Sequence, residues 1–199
     1  TLLGDLEMDK WPFEDAEVGV YSTDQFLKLL GVLDEDINVS ISKAGDKAIS
    51  LRVTDSSSAV NYMLSDISII PVTPDMKRIP EFELKINMTP QVMKKFIDGK
   101  GALAETDNFT VITDGTNTKL VINYSSINTN RVTIPVTTSE CSDIENLSFN
   151  ANIFKEVLSA NKECETATLK ISSEGLSKIV FKVDDFSVTY YLVSVADID

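Results

Sequence analysis

A short motif occurs three times along the chain, and this repeat constrains the fold more than any other feature. Each copy opens with a Thr or Asn whose side-chain oxygen can cap a helix, and an amide side chain follows two residues later. Apolar residues then surround a lysine. The copies begin at Thr23, Thr89 and Asn150. A repeat of this length predicts tandem structural units of similar architecture.

Each copy is predicted to form an amphipathic helix, because its apolar residues recur at about 100° per residue. The residues expected to face inward are Phe26, Leu30, Leu33, Val92, Met93, Phe96, Ile97, Ile153, Phe154, Val157 and Ala160. The lysines lie on the opposite side of each helix. One such lysine is usually a solvated surface residue. Three in the same register, in a chain short of basic residues, favour a shared function.

Composition limits the partners of the chain. It has 199 residues, of which 43% are apolar, enough for one large domain or two modest ones. The net charge is −13, with 31 acidic against 18 basic residues. Such a molecule is repelled by nucleic acid as a whole, so any contact with DNA requires a locally basic surface. No apolar run is long enough to span a membrane, so no membrane partner is expected.

The order of predicted elements repeats as strand, helix and three strands. Prolines in the segment 65–81 exclude a helix or central strand there and indicate an extended linker. We therefore expect a first domain over 1–68, a connector over 69–81 and a second domain over 82–199. Residues 1–10 are expected to be the last strand of an otherwise absent round, which makes the first domain incomplete. Gly99 and Gly101 are expected to end the second helix.

The helix openings, the connector sequence Ile69-Ile70-Pro71-Val72 and the ending Tyr190–Asp197 together resemble the DNA polymerase sliding clamps. The resemblance covers nearly the whole chain. The sequence is similar in particular to the clamp of T-even-type bacteriophages. The tail is also similar to that of the eukaryotic proliferating-cell clamp. The family's first helix and its neighbouring strands have no counterpart here. The resemblance implies an α+β fold, in which tandem β-α-β-β-β units form two clamp-like domains with sheets outside and helices lining a ring.

The same resemblance implies a function. Such clamps close as rings, trimeric in phages, around duplex DNA without sequence preference, and they tether the replicative polymerase. A clamp loader, the cytoplasm of a bacterial host and viral DNA replication are implied with them. Lysines on the inner helices contact phosphate, which carries no sequence information, so the ring can move along the duplex. The matching residues are Lys28, Lys94, Lys95, Lys100, Lys155 and Lys162.

Two protein contacts are also implied by the resemblance. Client proteins insert a short peptide beneath the connector and beside the tail, and the matching residues are Ile69, Ile70, Pro71, Val72, Tyr191, Val193 and Val195. These apolar residues are equally suited to sealing a domain junction. Subunits join by pairing edge strands, here 59–64 with 131–136. The matching interface residues are Ala59, Val60, Tyr62, Leu64, Arg131, Thr133 and Val136.

Residues for catalysis are scarce. The chain has no histidine, which excludes Ser-His-Asp and Cys-His arrangements and removes the commonest general base. The segment Asp98–Gly101 is too short for a phosphate-binding loop. The acidic runs Asp34–Asp36 and Asp184-Asp185 lack calcium-loop spacing and are typical of turns. We therefore expect no catalytic site, metal or cofactor.

Three alternatives remain at this point. One is a clamp-like factor that binds DNA as a monomer. Another is a phage structural or adhesion β-protein, in which the helices only support the core. The third is a hydrolase whose two carboxylates are distant in sequence.

Overall fold

The computed structural model describes residues 2–8, 14–34, 36–72, 76–127, 129–164, 166–183 and 186–195. The chain divides into two compact units. Unit 1 contains Thr1–Lys10 and Arg78–Asp199, and unit 2 contains Trp11–Lys77.

Unit 1 contains nine strands and two helices among the described residues. These are β1 (Leu2–Met8), β5 (Leu84–Met88), α2 (Pro90–Ala102), β6 (Asn108–Thr113), β7 (Thr118–Ile122), β8 (Val132–Cys141), β9 (Leu147–Asn150), α3 (Ala151–Ala160), β10 (Thr166–Ile171), β11 (Leu176–Val183) and β12 (Phe186–Val193). Unit 2 contains α1 (Thr23–Leu30), β2 (Asn38–Ala44), β3 (Lys47–Thr54), β4 (Ala59–Met63) and a 3-10 turn at Ile67–Ile69.

The nine strands of unit 1 form one antiparallel sheet in the order β1-β12-β11-β10-β5-β8-β7-β6-β9. Strand β8 joins the two halves of this sheet. Its residues Val132–Val136 pair with β7, and the stretch from Thr137 to Cys141 pairs with β5. The division of the chain differs from the expected boundaries at the N terminus. Strand β1 pairs with β12 along its whole length, from Leu2 opposite Leu192 to Met8 opposite Phe186, and so lies in unit 1.

Helices α2 and α3 pack against each other and against one face of this sheet. Phenylalanine rings fill the space between them. The Phe96 ring meets the Phe109 and Phe154 rings edge-on, with centroids 5.0 and 4.9 Å apart. All three side chains are at most 1% exposed. This arrangement fixes the two helices side by side over the sheet, because tightly packed aromatic pairs have few alternative geometries.

A glycine lies where α2 packs tightly against the sheet. A Cβ at Gly99 would come within 2.9 Å of a Val132 methyl carbon, so a larger residue would separate α2 from β8. The expectation that Gly99 and Gly101 end this helix is wrong. The helix continues to Ala102 and is closed by the Leu103 N–H, which donates to the Gly99 carbonyl.

In unit 2, α1 packs on a three-stranded sheet in the order β2-β3-β4. The Phe26 and Tyr62 rings lie 4.8 Å apart, and the Tyr62 hydroxyl donates to the Ser22 carbonyl oxygen. The helix is capped by Ser22, one residue before the expected opening. Before this helix, where the repeat predicts a strand, the structure has an isolated bridge between Gly19 and Ser65.

Antiparallel sheets with helices packed on one face are an α+β arrangement, which confirms the predicted class. The second and third helix openings are confirmed in detail. Thr89 Oγ1 accepts from the Val92 N–H at 3.3 Å, and Asn150 Oδ1 accepts from the Ile153 N–H at 2.9 Å. Within the described residues, no helix is long and apolar enough to cross a membrane. Part of the expected connector, residues 73–75, lies outside the described residues.

Candidate nucleic-acid and partner interfaces

The outer side of α2 carries two of the predicted DNA-binding lysines. Lys94 and Lys95 are exposed, while Met93 and Phe96 on the other side are buried in the core. The Thr89 cap and Pro90 at the first helical position set where this helix begins and therefore which residues face outward.

Helix α3 places its lysine in the same way. Phe154 and Val157 are buried, and Lys155 lies at the margin of the outer side, with 35% of its side chain exposed. Lys162 is exposed in the turn after the helix. Ala160, expected to face inward, is exposed, and Leu158 is buried instead. We call the outward-facing residues of α2 and α3, together with Lys162, the helix face.

Three of the six predicted lysines have a carboxylate beside them in the described structure. Lys94 Nζ lies 2.7 Å from Asp98 Oδ2 on the same helix, one turn away. In unit 2, Lys28 Nζ lies 2.7 Å from Asp24 Oδ2 at the same spacing. Lys155 Nζ lies 3.8 Å from a Glu156 oxygen. Asp98 and Glu156 therefore offset part of the positive charge of the helix face.

The sequence already contains the signal for the two carboxylates that lie one helical turn from a lysine. Asp24 and Asp98 each lie four residues from a lysine, the spacing at which helical side chains meet.

Lys100 does not lie where the resemblance implied. Its side chain is buried, at 3% exposure, and its ammonium donates to the carbonyl oxygens of Ala104 at 2.8 Å and Leu103 at 3.4 Å. These carbonyls follow the end of α2, where backbone acceptors lack helical partners and attract a positive charge. The structure therefore corrects the assignment of Lys100 to DNA contact: its ammonium is engaged inside unit 1.

The connector residues predicted to receive a client peptide are mostly exposed. Ile69 is 57% and Val72 is 93% exposed, while Ile70 is half-buried. In unit 2 a cavity of about 320 Å³ is lined by Ile70, Pro71, Val72, Ile67, Val18 and Glu17. An open cavity lined in part by aliphatic side chains is a suitable place for an apolar side chain of a partner.

The tail residues of the same prediction lie in unit 1. Tyr191 is buried on β12, whereas Val193 is 58% exposed. The tail is held by two backbone hydrogen bonds: the Ser194 N–H donates to the Gly175 carbonyl at 2.7 Å, and the Val195 N–H donates to the Ser148 carbonyl at 2.9 Å. These bonds hold the backbone directly after exposed Val193.

Both strands predicted to join subunits have an unpaired edge among the described residues. Strand β4 is the outer strand of its sheet and pairs only with β3. The stretch 132–136 of β8 pairs only with β7. Val60 and Tyr62 are buried in unit 2, and Leu64 is half-buried. Ala59, Arg131 and Thr133 are exposed, and Val136 is half-buried.

Two carboxylates with a lowered pKa accept hydrogen bonds from the backbone of turns. Backbone N–H groups of Asn117 and Thr116 donate to Asp114 and lower the pKa of its carboxyl group. The Asp34, Ser57 and Ser58 N–H groups do the same for Asp55. In the described part of the chain, no three His, Cys, Asp or Glu residues are grouped closely enough to hold a metal. Of the acidic runs considered above, Glu35, Asp184 and Asp185 lie outside the described residues.

The chain has a sliding-clamp-like fold. It superposes on the Proliferating Cellular Nuclear Antigen from Entamoeba histolytica with a TM-score of 0.74 and 15% sequence identity, covering 98% of this chain and 81% of that one. It also superposes on a chain of the PCNA2-PCNA3 complex from Sulfolobus tokodaii with a TM-score of 0.71 and 14% sequence identity, covering 98% of this chain and 82% of that one. No protein-family model and no curated protein sequence matches the chain.

Proposed function

We propose that the chain is a subunit of a sliding clamp that closes as a homotrimer around duplex DNA and tethers the replicative DNA polymerase. It works without catalysis or a cofactor. The observation that carries this proposal is the clamp-like fold, which covers 98% of the chain. The helix openings, connector and tail support a clamp of the T-even phage type, loaded by a clamp loader in the cytoplasm of a bacterial host.

In this mechanism the helix face meets the phosphates. Lys94, Lys95 and Lys155 supply mobile ammonium groups, which attract phosphate without fixing a register on the bases. Lys162 and Lys28, the latter in unit 2, add further ammonium groups. Because these contacts carry no sequence information, the ring moves along the duplex.

Ring closure uses the unpaired backbone edges of β4 and β8. When β4 of one subunit pairs with the stretch 131–136 of the next, both edges gain hydrogen-bond partners that they lack within the described residues of one chain. The exposed residues Ala59, Arg131 and Thr133 then lie at the junction, and Val60, Tyr62, Leu64 and Val136 support the strands behind it. Clients bind the connector cavity and the tail, through Ile69–Val72 and through Tyr191, Val193 and Val195.

Charge reversal on the helix face tests the DNA contact. We expect Lys94→Glu combined with Lys155→Glu to weaken binding to a 30-base-pair duplex about tenfold or more at low salt and to reduce polymerase processivity, because it reverses two phosphate-facing charges. Fluorescence anisotropy at several salt concentrations measures the affinity. The matched control is Lys119→Glu combined with Lys182→Glu, which changes the net charge equally through two exposed strand lysines.

If both double variants bind DNA equally well, the helix face is not the DNA contact. Thermal unfolding of each variant separates loss of binding from loss of structure.

A further inference from the structure

The face of the unit 1 sheet opposite the helices carries a row of three lysines. Lys170 on β10 lies directly opposite Lys85 on β5 and directly opposite Lys178 on β11. The neighbouring residues Ile86, Leu169 and Ile179 are buried beneath the helices, so alternation along each strand places the lysines on the other side. We call Lys85, Lys170 and Lys178 the lysine row.

The row has a single carboxylate partner in the described structure. Glu140 on β8 lies opposite Lys85 and forms an ion pair with it. Neither Lys170 nor Lys178 has a carboxylate within ion-pair distance among the described residues. At the other end Tyr191 lies opposite Lys178, whose Nζ sits 5.3 Å from the centre of the tyrosine ring. Directly opposed like charges destabilise a sheet, so an anionic partner that relieves this repulsion binds favourably.

Spacing and burial suit a short anionic segment. Neighbouring strands are about 4.8 Å apart, so the three lysine positions span about 10 Å across the strands. The lysine side chains are half-buried, with 29% of the Lys85 side chain exposed. Their stems therefore lie against the sheet, and less side-chain freedom is lost on binding.

The surrounding charges limit what fits. Glu83 lies two residues before Lys85 and is held by the backbone N–H and hydroxyl of Ser173. Asp5 and Glu7 lie on β1, beyond Tyr191, opposite Thr189 and Ser187. A duplex with a phosphate charge every 1.7 Å of axis would meet these carboxylates as well as the row. A short protein segment with two or three acidic residues fits on the lysine row, between these carboxylates.

We propose that the lysine row binds a short acidic segment of a client protein. Tyr191, at the end of the row, is one of the residues proposed for client binding, so the acidic segment would lie beside the client's apolar anchor. In identifying the partner as a client, the inference rests on the proposed function. The row itself is a separate surface from the helix face.

A labelled octaglutamate peptide tests the row directly. We expect Lys170→Gln combined with Lys178→Gln to weaken its binding about fivefold at low salt, because two charge contacts at the protein surface are lost. Binding to a 30-base-pair duplex should stay unchanged. The matched control is Lys119→Gln, to be compared with the single change Lys170→Gln. Thermal unfolding establishes that each variant is folded. If the double variant does not fold, the single variant Lys170→Gln is used for the test.

Equal peptide binding by the Lys170→Gln and Lys119→Gln variants would overturn the proposal. A parallel loss of duplex binding in the row variant would also overturn it, since the row would then be a nucleic-acid site. These outcomes are distinct from failure of the clamp proposal, which is measured by the response of duplex binding to Lys94→Glu combined with Lys155→Glu.

Discussion

Unit 1 carries lysines on two opposite sides in contrasting electrostatic settings. On the helix face, two of the four lysines, Lys94 and Lys155, have a carboxylate within 4 Å on the same helix. On the sheet face, one of the three lysines of the row, Lys85, has a carboxylate partner among the described residues, that of Glu140. A surface over which DNA must move benefits from weak attraction, whereas a surface that holds a partner benefits from uncompensated charge. The contrast therefore suggests different tasks for the two sides.

The comparison depends on the helices being fixed over the sheet, and the phenylalanine cluster fixes them. We expect Phe96→Ala to lower the free energy of unfolding by about 3–5 kcal/mol, because it removes a fully buried ring and leaves a cavity. Urea denaturation measures this change. Val72→Ala, at a 93% exposed position, should change it little. A loss below about 1 kcal/mol for Phe96→Ala would mean that the cluster does not hold the helix face together.

The role of the helix-face carboxylates can be tested by removing one. We expect Asp98→Asn to increase duplex affinity about two- to fivefold, because it frees Lys94 and removes a charge that repels phosphate. The slope of log affinity against log salt should steepen by about 0.9, the value for one further phosphate contact.

Glu140→Gln is the matched control for Asp98→Asn. It also removes one charge from an ion pair with a lysine, but on the sheet face. If the two variants raise DNA affinity equally, only net charge matters, and the contrast between the two sides is lost.

Unit 2 offers an independent repeat of the same arrangement. The Lys28–Asp24 pair has the spacing and the 2.7 Å distance of the Lys94–Asp98 pair. Asp24→Asn should therefore also raise duplex affinity, by about twofold, an amount typical of a helical pair one turn apart. Titration of both single variants and the double variant shows whether the increases add. Unchanged affinity for Asp24→Asn would exclude α1 from the DNA contact.

The smallest expected effect concerns Glu83 on the sheet face. Hydrogen bonds from Ser173 lower the pKa of the Glu83 carboxyl group. Its contribution to stability is therefore present above the unfolded value of about 4.3 and is lost as the pH falls through the lower folded value. We expect Glu83→Gln to lower the Tm slightly at pH 7, with the difference shrinking below about pH 4. A difference that grows on acidification would contradict this sign.

Local features of the fold followed from the sequence, but pairing between distant strands did not. The caps at Thr89 and Asn150 were predictable, because a helix needs an acceptor at its start. The pairing of β1 with β12 was not, since nothing local specifies which strands meet. The burial of Lys100 was missed because its partners are backbone carbonyls, which have no sequence signature. The lysine row was invisible for a related reason: it exists only once the registers of β5, β10 and β11 are known.

The central claim is that the chain encloses DNA. The most direct test is whether a covalently closed ring stays linked to a circular DNA. In a Cys141→Ser background, Asn61→Cys on β4 and Thr133→Cys on β8 should form a disulfide between subunits and lock the ring on a nicked circular plasmid. Locked protein should resist a high-salt wash on the circle and be released when the plasmid is cut. Equal release from the circular and the linear plasmid would contradict the account.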